Sequence, residues 1–204
     1  MTELKQTQRF FDDRAEIWDS HDYMEKEQRL LEIFRNYISE PGYPLLDIGC
    51  GTGVLVPVLE SILPKGSPII EMDISRAMLA KAKSKYSLKN NISFTHANAH
   101  ILPFTDNSIA TVICFAVFPH LYDQKQAIKE FYRILAKDGS LVILHLMGHK
   151  ELNAMHSEAG HAVCRHALAP ADTVARQISE QNFTITTCEE DENLYLIEAE
   201  KYGD

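Results

Sequence analysis

Nine consecutive residues, Leu45-Leu46-Asp47-Ile48-Gly49-Cys50-Gly51-Thr52-Gly53, join an apolar run to three alternating glycines. A buried strand that ends in glycines and opens a helix lets the backbone approach a ligand closely. Twenty residues beyond Gly53 stands Asp73, at the end of a second apolar run. A carboxylate at a strand's C-terminal edge can accept hydrogen bonds from both hydroxyls of a ribose. The combination suits a ligand that carries a nucleoside. The nicotinamide fingerprint GxGxxG would need a glycine at position 54, where the chain has Val54, and this disfavours an NAD-dependent oxidoreductase.

A second group of chemistry-bearing residues lies later in the chain. Five of the nine histidines, His145, His149, His156, His161 and His166, fall within residues 145–166, with Cys164 among them. A neutral imidazole near pH 7 can bind zinc, take a proton or hydrogen-bond an acceptor. A helix over 150–159 ended by Gly160 would put His149, Asn153 and His156 on one face. Imidazoles two turns apart are ~10 Å apart along the axis, too far to share a metal unaided. A metal site on His145, His149, His156 and His161 therefore needs a kink or help from Cys164. Three uses stay open: substrate recognition or base catalysis by His149 and His156, a divalent metal such as zinc, and polar residues without a joint role. His120, after the fourth apolar run, is the first candidate for a general base, with Tyr23 and Tyr122 behind it.

The elements that must position these groups follow from periodicity. Apolar residues at helical spacing predict helices over 24–39, 54–63, 76–86 and 124–136, and another beginning at Pro170. Ser75 is suited to cap the third of these. Short apolar runs predict strands over 43–48, 68–74, 92–97, 109–117 and 140–146. The run at 109–117 is almost wholly apolar and fits the centre of a parallel sheet. Two last strand-like runs, 183–188 and 194–199, are separated by a link that permits a hairpin but no parallel crossover. The expected fold is a Rossmann-like α/β domain spanning 1–204. It has seven mostly parallel strands, the last antiparallel, with helices on both faces.

The GxGxG run preceded by Asp47, together with Asp73, resembles motif I and the ribose acid of class I S-adenosylmethionine-dependent methyltransferases. The segment Asn98-Ala99-His100-Ile101-Leu102-Pro103-Phe104 is similar to the family stretch that holds adenine. Asn98 stands where the family usually has an aspartate, and its carbonyl can still accept from the adenine amino group. Ala110 replaces another common acid. Residues 115–120 are similar to the stretch lining the methyl-donor side, and Lys137-Asp138-Gly139 to the turn before strand five. The N-terminal run from Phe10 to Asp19 resembles the entry segment of the ubiquinone and menaquinone biosynthesis branch, which folds over the cofactor pocket. The resemblance implies S-adenosylmethionine held by Asp47, Gly49, Gly51, Gly53, Asp73, Ile74, Asn98, Ala99 and Phe115. It also implies a helical cap over 1–40 and a substrate lid over 145–170.

Composition agrees with such a protein. The chain has 204 residues, 45% of them apolar, and a formal charge of −9. No basic stripe is present to neutralise phosphates, so a nucleic-acid partner is not expected. No apolar run spans a membrane. Four scattered cysteines and a polar N-terminus lead us to expect reduced thiols and a cytoplasmic enzyme acting on a small molecule. A non-catalytic sensor of metal or metabolite in the same pocket is the alternative. In-line methyl transfer requires alignment and exclusion of water, and needs a base only when the acceptor must lose a proton of high pKa.

Overall fold

The computed structural model describes residues 2–19, 23–158 and 166–202. Seven strands form one sheet in the order β3-β2-β1-β4-β5-β7-β6. Strands β1 (Leu45–Ile48), β2 (Ile69–Asp73), β3 (Ile92–His96), β4 (Ile109–Phe115) and β5 (Leu135–His145) are parallel. β7 (Tyr195–Lys201) runs antiparallel to both β5 and β6 (Phe183–Glu190). This is the sheet expected from the short link between the last two runs. The chain winds outward from β1 through β2 to β3, then returns to β4 on β1's other side. Such a reversal opens a crevice at the carboxyl ends of the two strands.

Alternation along β4 explains why nearly all of it is apolar. Val112 and Cys114 belong to one buried cluster, and Ile113 and Phe115 to the other. In β5, Leu141 and Ile143 face the first cluster, while Val142 and Leu144 face the second. Each such side chain, fully buried, contributes roughly 1.5–3 kcal/mol, so both faces of the central strands hold the helices in place. Asp47 of β1 and Glu71 of β2 are register partners in this interior. Both are buried, and neither carboxyl has an oxygen or nitrogen partner among the described residues.

The helices are α1 (Glu3–Asp12), α2 (Tyr23–Tyr37), α3 (Val56–Ile62), α4 (Arg76–Tyr86), α5 (Gln124–Ile134), α6 (His149–Glu158) and α7 (Ala171–Ser179). Ser75 caps α4, its hydroxyl accepting from the Met78 N–H at 3.1 Å. Helix α3 begins two residues later than its periodicity predicts, because turns fill 51–55 and Pro57 sits in the first helical turn. Helix α5 stops at Ile134 rather than 136. Leu135 already pairs with Ile109 as the first residue of β5, and the register shifts between Ile109 and Thr111. The Asp138-Gly139 turn therefore lies inside β5 rather than ahead of it. No helix among the described residues is long and apolar enough to cross a membrane.

Candidate active site

The cavity at the carboxyl ends of β1 and β4 is lined by Gly49, Gly51, Asp73, Ile74, Asn98, Ala99, Phe115 and His120, among others. Gly49 has φ +70°, and a Cβ there would meet Val117 at 2.3 Å. The turn is thus tight enough to exclude every other residue. Gly51 has φ +56°, and the nearest atom to a Cβ there is Trp18 Nε1 at 3.7 Å, so its bare backbone borders the cavity. Ala116, on the same wall, also adopts a left-handed backbone at φ +54°, held by its N–H donating to Leu144 O at 2.9 Å. That conformation costs an alanine ~1–2 kcal/mol.

Asp73 is fixed before any ligand arrives. Its two oxygens accept from the N–H groups of Gly51 at 2.9 Å and Ser75 at 2.7 Å. Burial raises its carboxyl to about 6, against the lowering effect of those N–H donors. With the Ile74 N–H also directed at this carboxyl, part of its accepting capacity remains for a ribose hydroxyl. Asn98 differs from its expected use. Its carbonyl already accepts from the His100 backbone N–H at 3.0 Å and lies 2.6 Å from His100 Nδ1. His100 Nε2 in turn accepts from the Asp123 N–H at 3.1 Å, which fixes the proton on Nδ1. What Asn98 has left to offer is its amide N–H₂ group, a donor where the family's aspartate is an acceptor.

The N-terminal segment covers this cavity. Leu4, Thr7, Phe11 and Trp18 line it from above, with the Phe11 ring 5.6 Å from Trp18 and 5.1 Å from His120. Asp12 anchors the segment, accepting from Ser75 Oγ at 2.6 Å and Ala77 N–H at 3.2 Å. A carboxylate at the first turn of α4 satisfies exposed N–H groups and the helix dipole together.

Three other imidazoles gather around His120 at the edge of the cavity. His120 Nδ1 is 3.0 Å from His166 Nδ1, and the His120 ring centroid is 5.0 Å from that of His156. His156 Nδ1 is 2.6 Å from His166 O, so it carries a proton and donates it. Among the described residues neither nitrogen of His145 has a hydrogen-bond partner, and its ring stands edge-on to Tyr195 at 5.6 Å. Burial and the neighbouring imidazoles push His120 well below the usual histidine range, and burial holds His145 at about 3.

The comparisons with known proteins agree with this geometry. Residues 46–143 match the family described as Methyltransferase domain. That stretch is just under half of the chain, and it is similar to the class I S-adenosylmethionine-dependent methyltransferases. The chain is 30% identical over 142 residues to the ubiquinone/menaquinone biosynthesis C-methyltransferase UbiE of Hahella chejuensis, covering 68% of this chain and 56% of that protein. Over the first three such relatives the chain spans 42–56% of their length. A magnesium protoporphyrin IX methyltransferase from Synechocystis, crystallised with S-adenosylhomocysteine, superposes with TM-score 0.70 at 17% identity, covering 98% of this chain and 100% of that one. The cyclase SpnF superposes with TM-score 0.76 at 15% identity, covering 100% of this chain and 98% of that one. The fold alone thus does not fix the chemistry of a methyltransferase-like chain.

Several expected site residues stand apart from the cavity wall. Asp47 is wholly buried beside Glu71, and Gly53 serves packing, since a Cβ there would meet the Tyr86 ring at 2.7 Å. His149 is not joined to His145 and His156 as a ligand set. Its Nδ1 lies 2.5 Å from Glu190 Oε1, and its backbone N–H donates to the same oxygen at 2.8 Å. Asn153 binds the backbone of Leu168 at both ends of its amide. Among the described residues no group of three or more His, Cys, Asp or Glu side chains is arranged to hold a metal ion. His161 and Cys164 lie outside the described residues, as does the side chain of Tyr23. Tyr122 stacks on His100 at 3.9 Å and is not among the cavity-lining residues. Three residues escaped the sequence reading as site residues: Asp12, His100 and His166. Asp12 and His100 sit in segments that carry the family resemblance, whereas nothing in the sequence ties His166 to His120.

Proposed function

We propose that the protein is an S-adenosylmethionine-dependent methyltransferase acting on a small molecule. The observation that carries this reading is Asp73, a preoriented carboxylate beside the bare backbone of Gly51 on the cavity wall. When bound, S-adenosylmethionine supplies an electrophilic methyl group. Asp73 would hold the ribose hydroxyls, Gly49 and Gly51 would admit the amino-acid portion, and Ile74, Asn98 and Ala99 would border adenine. Phe11, Trp18, Phe115 and Val117 exclude water from the remaining space, where a small acceptor would be aligned. His120, which lines the cavity, would take a proton from that acceptor. In this reading residues 1–40 act as the cap and 145–170 as the acceptor-side lid. Free thiols at Cys50, Cys114 and Cys188 support a cytoplasmic setting.

The test is thermal denaturation with S-adenosylmethionine, S-adenosylhomocysteine and NAD in parallel. At a hundredfold excess over Kd, a ligand of the native state adds ~2.7 kcal/mol. Both sulfur nucleosides should raise the melting temperature and NAD should not. Stabilisation by NAD alone would sink the assignment.

A further inference from the structure

We propose that His120, His166 and Glu3 form a proton relay that deprotonates the methyl acceptor through a change of tautomer, so that no charge stays on His120. The proposal rests on the methyltransferase reading and specifies its substrate class. The acceptor must bear an ionisable proton, on oxygen, sulfur or an activated carbon.

The argument starts from where protons can reside. His166 Nε2 is 3.9 Å from Glu3 Oε1, the separation of an ion pair, and a carboxylate there favours a proton on that nitrogen. His166 Nδ1 is then the lone-pair nitrogen. The contact of 3.0 Å between the two Nδ1 atoms requires one donor, so His120 Nδ1 carries the hydrogen. His120 Nε2 is left as the unprotonated nitrogen of a ring that lines the cavity. The order is the Glu3 carboxylate at ion-pair distance from His166 Nε2–H, then His166 Nδ1 accepting from His120 Nδ1–H, then the free His120 Nε2.

A lone buried imidazole at this position would be a poor base. His120 is packed against Phe11, His156 and His166, and feels His145 as well, so its imidazolium is disfavoured from every side. The relay removes that difficulty. As the acceptor's X–H bond breaks, its proton goes to His120 Nε2, and the Nδ1 proton passes to His166 Nδ1. The electron pair left on X takes up the methyl group, while the sulfonium sulfur keeps the pair of the broken C–S bond. His120 ends neutral with its proton on the other nitrogen. The positive charge ends on His166, against Glu3, whose side chain is 59% exposed. The charge thus sits on a ring that is itself only 5% exposed but faces a carboxylate, instead of beside the sulfur. Once product leaves and water enters, the shuttle runs back.

The arrangement also gives α1 a chemical role besides covering the cavity. Glu3 is the first residue of the helix whose Leu4, Thr7 and Phe11 line the cavity wall. The relay is therefore complete only when the cap is seated.

The decisive experiment is long-range ¹H–¹⁵N spectroscopy of the imidazoles in the wild-type protein saturated with S-adenosylhomocysteine. It should show His120 as the Nδ1–H tautomer and His166 as the Nε2–H tautomer, with Glu3→Gln lowering the His166 pKa by about half a unit to one unit. His120 with its proton on Nε2, or a stoichiometric zinc ion bound to these rings, would overturn the relay. This readout does not depend on turnover. Failure of S-adenosylhomocysteine to bind at all would instead strike the methyltransferase reading. Substituted thiophenols and phenols of graded acidity then serve as acceptors in a second measurement. His166→Gln, which can accept from His120 but cannot take up a proton, should slow the weakly acidic phenols ~100-fold and ionised thiophenolates less than threefold. Equal slowing across the series would overturn the relay.

Discussion

Asp12 and Ser75, 63 positions apart in the chain, share a hydrogen bond of 2.6 Å in which the serine hydroxyl donates to the carboxylate. Ser75 also donates its backbone N–H to Asp73. One serine therefore connects the N-terminal segment, the first turn of α4 and Asp73. Tightness of the cap and order at the ligand site are coupled through it.

Replacing Asp12 by alanine should release the cap without touching the cavity floor. Loss of a helix-terminal carboxylate costs ~0.5–2 kcal/mol of stability. The larger effect should be kinetic, with S-adenosylhomocysteine leaving about tenfold faster because Leu4, Thr7 and Phe11 no longer hold it in. Stopped-flow displacement measures this directly. An unchanged off-rate would mean that the cap is held by other contacts, such as the Lys81–Glu16 ion pair at 2.6 Å.

Cofactor affinity should depend on pH through Asp73. Its carboxyl titrates at about 6 in the free protein, since burial outweighs the N–H bonds it accepts. Ribose hydroxyls donate to the carboxylate, so the bound state favours deprotonation. Affinity should therefore rise as pH increases through about 6 and level off above about 7. Asp73→Asn should weaken binding by ~1.5–3 kcal/mol at neutral pH and remove the pH dependence. Calorimetric titration at several pH values checks both.

His149 should prove structural. Glu190 accepts from its backbone N–H and lies against its ring, and also accepts from the Ala171 N–H at 2.8 Å, joining the starts of α6 and α7. His149→Ala should destabilise the fold by ~1–2 kcal/mol in urea titrations. Turnover of the folded fraction should stay within about threefold, whereas a loss of a hundredfold would return His149 to the chemistry.

Acid should weaken the native state through His145. Its folded pKa of about 3 is below the ordinary value of 6.5, first from burial and then from His156. Between these values the unfolded chain binds the extra proton, so this contribution is complete above about 6.5 and lost as pH falls toward 3. His145→Leu should reduce the slope of stability against pH by up to ~1.4 kcal/mol per unit in that window. A slope unchanged by the substitution would assign the acid sensitivity to the other histidines.

The sheet and its helices were legible in the sequence because burial on two faces leaves a plain signal. Residues 109–117 read as a central strand, and the acidic link before 194 read as a hairpin. The cofactor side was legible for a related reason, since glycines at fixed spacing and an acid at a strand end encode a local backbone shape. The histidines behaved otherwise. Helical spacing groups His149 with His156, yet Glu190, 41 residues from His149, claims the first. His156 and His166 meet His120 across a contact between segments, and periodicity carries no record of such pairings. Asn98 misled for a similar reason, because its carbonyl is taken by His100, two residues along a turn.

The buried pair of Asp47 and Glu71 gives the native chain a different ionic composition from the one counted along its sequence. Burial, and the other carboxylates nearby, raise both acids. At neutral pH the pair keeps at least one proton that the unfolded chain would release. The native protein is accordingly less negative than its formal −9. Through this pair folding takes up hydrogen ions from the solvent, and alkali, by stripping that proton inside the sheet, weakens the native state.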